Sequence, residues 1–316
     1  MRSLCFVVLS CAVACAQTSA DTNPFQNHDP EKALITGDDV TLFWKAYDHW
    51  QNDLKGDPAK LPEALQTGYL DQGSQGVKDF MAGRIENAKH LSAVVLKNRA
   101  YFEGLRRGNN ELVQNALPEL RKDFRELKRL YPDAVFPPVY FVIGALSTGG
   151  TQSRHGLIIG AEMLSDQNPV LPLTDVVALV MHELVHFQQI HPDNDLLARC
   201  MREGTADFVA ELVSGHNLNA RNKIYGDSHE EQLWVKFQQD TAINEHEDDW
   251  LYNYFKKDRV GPPDLGYYMG YKISQALYES AKDKSAALRV IIEMRDPQKI
   301  YELSGYGKRF SNQAVN

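Results

Sequence analysis

From about residue 37 to 131, apolar side chains recur at three- and four-residue intervals, the spacing that lines up one face of an α-helix. Val40, Phe43, Trp44, Tyr47 and Trp50 form the first such stripe, behind Thr36 and Asp38 as capping residues. Further helices are predicted over residues 77–106 and 117–130, the second with Leu117, Leu120, Phe124 and Leu127 on one side. Stripes of this kind are core surface rather than cofactor contacts. The period then changes. Pro137-Pro138 introduces residues 139–146, a short run rich in Val, Tyr, Phe and Ile that suits a strand. Ser147-Thr148-Gly149-Gly150 reads as a turn, and residues 156–163 as a second strand. Helical spacing returns over about 174–190, 195–213, 230–239, 265–281 and 286–294, with Gly261-Pro262-Pro263 as a break. The expected class is α+β, predominantly α-helical, with a small sheet just ahead of one special helix. With no repeat and no clear linker, residues 37–316 read as a single domain with a helical part (37–131) and a second part (132–316).

Composition adds exclusions. A chain of 316 residues with a formal charge of −8 and no lysine- or arginine-rich stripe has no means of neutralising nucleic-acid phosphates. Arg125, Lys128 and Arg129 alternate with Asp123 and Glu126, the pattern of a solvated helix face. Arg2 followed by the apolar run 4–14 and the small residues Ala14-Cys15-Ala16 reads as a secretory signal over 1–16, cut before Gln17. A second cleavage site ends at Ala20. Lipid attachment at Cys15 is the third option, against which stands Ala12, where a larger aliphatic residue is usual. The expectation is an exported protein, periplasmic or secreted, with a flexible segment over 17–36 and a membrane anchor only if Cys15 carries lipid. No other run approaches the ~20 apolar residues of a membrane helix. Of the four cysteines only Cys200 lies beyond the signal, so no intramolecular disulfide is expected, and Cys200 reads as a buried structural thiol.

The chemistry is concentrated in His182-Glu183-Leu184-Val185-His186, on the helix expected over 174–190. Positions i and i+4 share a helix face about 6 Å apart, so both imidazoles can reach one zinc ion at ~2.1 Å. Glu183 points elsewhere and is placed to accept a proton from a zinc-activated water. By residue frequencies the bare motif arises by chance in on the order of a few per cent of chains this long, so its surroundings must decide. Val176, Val177, Leu179, Val180, Leu184 and Val185 anchor it on an amphipathic helix. The rival reading, two satisfied core histidines and a surface glutamate, leaves a glutamate inside an apolar helix unexplained.

A catalytic zinc takes three protein ligands and keeps one position open. A third histidine six residues after the second is excluded, because Pro192 stands there, and Gln189 replaces the glycine of that pattern. His191, beside Pro192 at the helix end, is a poor ligand. The better candidate is Glu203 in Arg202-Glu203-Gly204-Thr205-Ala206-Asp207, where Glu203 and Asp207 share a face. Glu203 completes the site, and Asp207 accepts a hydrogen bond from the far nitrogen of a ligand histidine.

In these residues the chain resembles the gluzincins, in which His-Glu-x-x-His is followed by Glu-x-x-x-Asp on the next helix. It resembles more closely the predicted zinc-dependent proteases related to the gliding-motility lipoprotein GldB, through residues 181–189, 202–208 and Gly266-Tyr267-Tyr268-Met269-Gly270-Tyr271. The resemblance runs from about Phe43 to Tyr306 and is specific only in those three segments. It implies a zincin-like fold with an edge strand along the cleft and supplies no substrate. Gly204-Thr205-Ala206-Asp207 is also similar to the aspzincins, in which an aspartate is the third ligand. The spacing is one residue short for that pattern, and Asp207 stays open as an alternative ligand.

The expected function is a zinc-dependent peptidase acting on a peptide or protein substrate. Glu183 serves as general base and returns the proton to the leaving amine. Tyr267, Tyr271 and His216 are candidates to stabilise the oxyanion, and the tyrosines fit equally well as packed core. Strand 156–163 is expected to pair with an extended peptide. The alternatives are a zinc-binding scaffold without turnover, a zinc hydrolase of a non-peptide bond, and a helical interaction protein without metal.

Overall fold

The computed structural model describes residues 25–165, 170–190, 194–259 and 261–310. The signal over 1–16, Cys15, residues 17–24 and His191 lie outside them; residues 25–36, expected to be flexible, are described and carry a strand at Ile35–Thr36 that pairs with residues 139–140. The chain forms two compact units: Met1–Arg125 with Val135–Val180, and Glu126–Ala134 with Met181–Asn316.

The first unit opens with strand β1 (Ile35–Thr36) and helix α1 (Asp38–Asn52). The stripe Val40, Phe43, Trp44, Tyr47 and Trp50 is buried. The Phe43 ring meets Trp44 edge-on at 5.0 Å and Tyr69 at 5.4 Å. Gly37 occupies the cap position, and the Thr36 hydroxyl accepts the Asp38 N–H at 3.2 Å. Helices α2 (Leu61–Leu65), α3 (Gln75–Phe80), α4 (Ala88–Lys97), α5 (Arg99–Leu105) and α6 (Asn109–Leu130) follow. The single helix expected over 77–106 is thus three. The chain breaks at Gly83, whose φ of +72° suits only glycine, and restarts where the Asn87 side chain accepts the His90 N–H at 2.9 Å. Helix α6 starts earlier than expected, because Pro118, which reads as a first-turn residue, lies inside it.

Strands β2 (Val139–Val142), β3 (Gly150–Ser153) and β4 (Gly156–Gly160) join β1 in the order β1-β2-β4-β3. The β1–β2 and β2–β4 pairs are parallel, and β3 folds back antiparallel on β4. This corrects the expectation for residues 156–163. The strand ends at Gly160 and passes into a short 3-10 turn, Ala161–Met163. It also has a neighbour on both sides, so it cannot accept an added peptide; the edge beside it is β3. Buried polar bonds tie helices to strand ends. The Tyr69 hydroxyl donates to Ile143 O at 2.8 Å and accepts its N–H at 2.9 Å. Asn109 donates to Ala161 O at 2.7 Å and accepts from the Trp44 indole at 3.1 Å.

Helix α7 (Leu173–Val185) begins in the first unit and ends in the second. Residues 176–189 are all buried, so it is enclosed on every side rather than amphipathic. The second unit continues with α8 (Leu196–Ser214), α9 (Ala220–Ser228), α10 (Glu230–Ile243), α11 (Glu247–Trp250), α12 (Leu265–Ser280), α13 (Lys284–Glu293) and α14 (Pro297–Ser304). Helices α8 and α12 pack with backbones in direct contact. A Cβ on Gly270 would stand 2.0 Å from Cys200 O, and one on Gly204 2.2 Å from Tyr271 N. Beside that contact the buried hydroxyls of Thr205 and Ser274 bond at 2.8 Å. Trp234, Phe237, Trp250 and Tyr306 fill the rest of this core. Among the described residues the result is a mainly helical α+β protein with one four-stranded sheet, and no helix is long and apolar enough to cross a membrane.

Candidate metal centre

The last turn of α7 carries His182 and Glu183, His186 follows directly after its end, and the second turn of α8 carries Glu203. Asp195 starts α8 by accepting the Ala198 N–H at 2.7 Å, which fixes the rotation that turns Glu203 and Asp207 toward α7. His182 Nε2 and His186 Nε2 are 3.2 Å apart, and Glu203 Oε2 is 3.5 Å from each. A tetrahedral ion bound at about 2.1 Å spaces its donors about 3.4 Å apart, so the triangle has the right size. All three side chains are buried, at 1%, 6% and 0% exposure, and together they can hold a metal ion.

The donor set explains why a cation belongs there. The Nδ1–H of His182 is taken by Asp207 Oδ1 at 2.8 Å, and that of His186 by Gln189 Oε1 at 2.7 Å. Gln189 is oriented by its own Nε2–H, which donates to Arg202 O at 2.8 Å. With the ring protons on Nδ1, both Nε2 atoms and Glu203 Oε2 are acceptors facing one another, and Glu203 Oε2 is buried without a hydrogen-bond donor. Three inward-facing acceptors in a dry site repel one another unless positive charge lies among them. Acid–base behaviour says the same. Burial disfavours the imidazolium of His182, yet Asp207 and Glu203 outweigh it and hold the ring up to about 10. Burial likewise disfavours ionised Glu203, but His186, His182 and Arg202 keep it well below the usual carboxylate range.

The outer oxygen of Glu203 is held separately, by the Tyr252 hydroxyl at 3.4 Å and the Arg202 guanidinium at 3.3 Å. Tyr252 adopts a left-handed φ of +56°, an outlier for a bulky residue. Asp264 stabilises that turn by accepting the Tyr252 and Asn253 backbone N–H groups. Asp207 is tethered too, through Asn219 Nδ2 at 2.7 Å on its other oxygen. Gln189, Asn219 and Tyr252 were not singled out by the sequence reading. Gln189 carries a weak signal, three residues beyond His186 on the same chain segment. Asn219 and Tyr252 reach the centre from non-periodic segments and leave none.

The remaining expected residues divide. Glu183 is 3% exposed, and its Oε1 has no hydrogen-bond partner. The Tyr267 ring lies parallel to that of His182 at 6.0 Å, and burial pushes its hydroxyl well above the ordinary range. Tyr271 engages Lys223, whose ammonium donates to its hydroxyl at 3.1 Å, and Glu211. His216 lies just beyond Gly215, which caps α8, with backbone bonds to Ser214. The helix already runs eleven residues, about 16 Å, from Glu203 to its last residue, Ser214. Asp207 faces the outer nitrogen of His182, away from the three converging donors. No protein-family model and no solved structure matches the chain.

Proposed function

We propose that the chain is a zinc-dependent hydrolase of the gluzincin type with a zincin-like fold, exported from the cell, whose substrate is a peptide or protein. The observation that carries this reading is the triangle of buried acceptors on His182, His186 and Glu203, each braced from behind, next to a glutamate with an unpartnered buried oxygen. Zinc suits two imidazoles and a carboxylate, and when bound it polarises a carbonyl and makes a water molecule more acidic. Glu183 accepts the proton of the attacking water and hands it to the leaving nitrogen. Asp207 and Gln189 hold the two Nδ1 atoms outward, so that both Nε2 atoms face inward as ligand atoms. Tyr267, whose hydroxyl remains a donor, supplies the hydrogen bond to the developing oxyanion. The choice of a peptide bond rests on the resemblance carried by residues 181–189, 202–208 and 266–271, and export on the pattern of residues 1–16.

The depth of the three donors favours a second reading, a site that binds zinc without turnover. Against it, a purely structural zinc is usually closed by four protein ligands, and three converge here among the described residues. Zinc content of the full chain, beside Glu203→Ala and Asp207→Ala, tests the site. Stoichiometric zinc, lost with Glu203→Ala and weakened with Asp207→Ala, is expected. Unbiased peptide libraries then test the chemistry: wild type cleaves, and Glu183→Gln keeps its zinc and loses nearly all turnover. No zinc after reconstitution sinks the hydrolase; zinc without cleavage of peptide, ester or amide leaves the second reading.

A further inference from the structure

Asn219 stands at the N-cap of α9, where an asparagine ordinarily accepts an N–H from the helix's own first turn. Four such residues in the chain do this, whereas Asn98 and Asp264, at the starts of α5 and α12, do not. Asn87, Asp195, Asp283 and Asp296 each accept the N–H three positions on. Asn219 makes no such bond. Its side chain instead crosses to α8 and donates Nδ2–H to Asp207 Oδ2 at 2.7 Å, while Asp207 Oδ1 accepts from His182 Nδ1 at 2.8 Å. An ionised carboxylate only accepts, so the amide nitrogen, not the oxygen, is the atom presented to it. The start of α9 is thereby joined through Asp207 to a ligand-bearing ring.

We propose that Asn219 is a positioning residue of the metal centre, giving up its role as a cap to hold Asp207 in the one rotamer that orients His182. The inference rests on a metal being bound by His182, His186 and Glu203, and needs no hydrolysis. Asp207 borders a small cleft that Asn217, Asn222, Lys223 and Tyr271 also line. The side-chain amides of Asn217 and Asn222 and the Lys223 ammonium are bonded elsewhere, so without Asn219 the outer oxygen of Asp207 is left to water and the carboxylate is free to turn from the ring. Partners of this outer kind are commonly worth 10–100-fold in metal affinity.

The test compares full-length wild type, Asn219→Ser and Asn219→Asp for zinc affinity by competition with a chromophoric chelator, and for thermal unfolding without metal. Serine and aspartate cap a helix about as well as asparagine, but serine is too short to reach Asp207 and aspartate opposes it with a second carboxylate. Expected is a zinc dissociation constant raised about 10–100-fold in Asn219→Ser and further in Asn219→Asp, with the metal-free midpoint of Asn219→Ser unchanged. Equal affinity in wild type and Asn219→Ser overturns the role of Asn219 alone. A loss of affinity in Asn219→Ser that comes with a collapse of the metal-free fold overturns it too. Wild type that binds no zinc overturns this inference and the metal centre together.

Discussion

At Glu203 the two carboxylate oxygens meet different surroundings: Oε1 is held by Tyr252 and Arg202, while Oε2 is turned to the imidazoles. The division leaves one oxygen to fix the rotamer and the other to act as donor, and the same logic recurs at His182 and His186, each bonded on the nitrogen away from the centre. Such pairings were legible in the sequence only where spacing alone produced them. His182, His186, Glu203 and Asp207 could be found because helical periodicity puts i and i+4 on one face. Tyr252, 49 residues from its partner, could not. The tyrosines of α12 now separate. Tyr267→Phe retains the ring stacked on His182 and removes only the hydroxyl, so kcat is expected to fall about a hundredfold, the lower end for loss of one oxyanion donor, with zinc affinity unchanged. Tyr271→Phe removes a bond to Lys223 and Glu211 and is expected to leave kcat as it is. Steady-state kinetics on a peptide cleaved by wild type checks both, and an unchanged kcat in Tyr267→Phe removes it from the mechanism.

Among the elements, the crossing of α8 and α12 decides how Glu203 and Tyr267 reach the centre. Glycines at 204 and 270 let the two backbones touch. Two opposed effects are predictable for glycine to alanine. In an open helical site the change is favourable by up to about 1 kcal/mol; against a packed backbone, overfilling costs about 1–3 kcal/mol or more. At Gly270 the added carbon meets a carbonyl oxygen at 2.0 Å, so the cost wins; at Gly104 in α5 the nearest atom is the mobile end of Arg107 at 3.9 Å, so the gain does. Urea unfolding is expected to show Gly270→Ala destabilised by about 2 kcal/mol or more and Gly104→Ala neutral or stabilised. A Gly270→Ala chain as stable as wild type refutes the crossing. Strand β1 falls in a segment expected to be flexible and becomes a strand by pairing with β2, whereas the main helices and the strands β2 and β4 were readable from period and propensity. The β3 edge was not, because Gly150-Thr151-Gln152-Ser153 has turn-like composition and becomes a strand only by pairing with β4. Helix α9 was missed because its apolar positions are sparse.

For the molecule as a whole, a buried acid outside the metal centre sets part of the pH dependence. Glu162 is fully buried, its Oε1 accepts the Leu146 N–H at 3.2 Å, and its Oε2 has no partner. Burial raises the carboxyl from 4.5 to about 7, against the pull of the Gly144 and Leu146 N–H groups. The folded chain therefore binds more protons than the unfolded one between these values, and stability falls as pH rises through that window. At 1.36 kcal/mol per unit the full cost above pH 7 is about 3 kcal/mol. Glu162→Gln keeps an acceptor oxygen and removes the charge. Its stability gain over wild type is expected to be small near pH 4.5 and to reach about 2–3 kcal/mol at pH 8, measured by urea midpoints. A gain that does not change with pH would show that Glu162 is not the titrating group.

The units are not consecutive in the chain, and this imposes an order on synthesis. The first unit is complete once residue 180 has emerged, whereas Glu126–Ala134 belongs with residues made much later. Tyr131 donates to Glu293, 162 positions downstream, so at about 5–20 residues per second this segment waits on the order of ten to thirty seconds for its partner. Over that interval Leu127 and Tyr131, buried in the finished fold, wait for partners not yet made, within reach of chaperones and proteases.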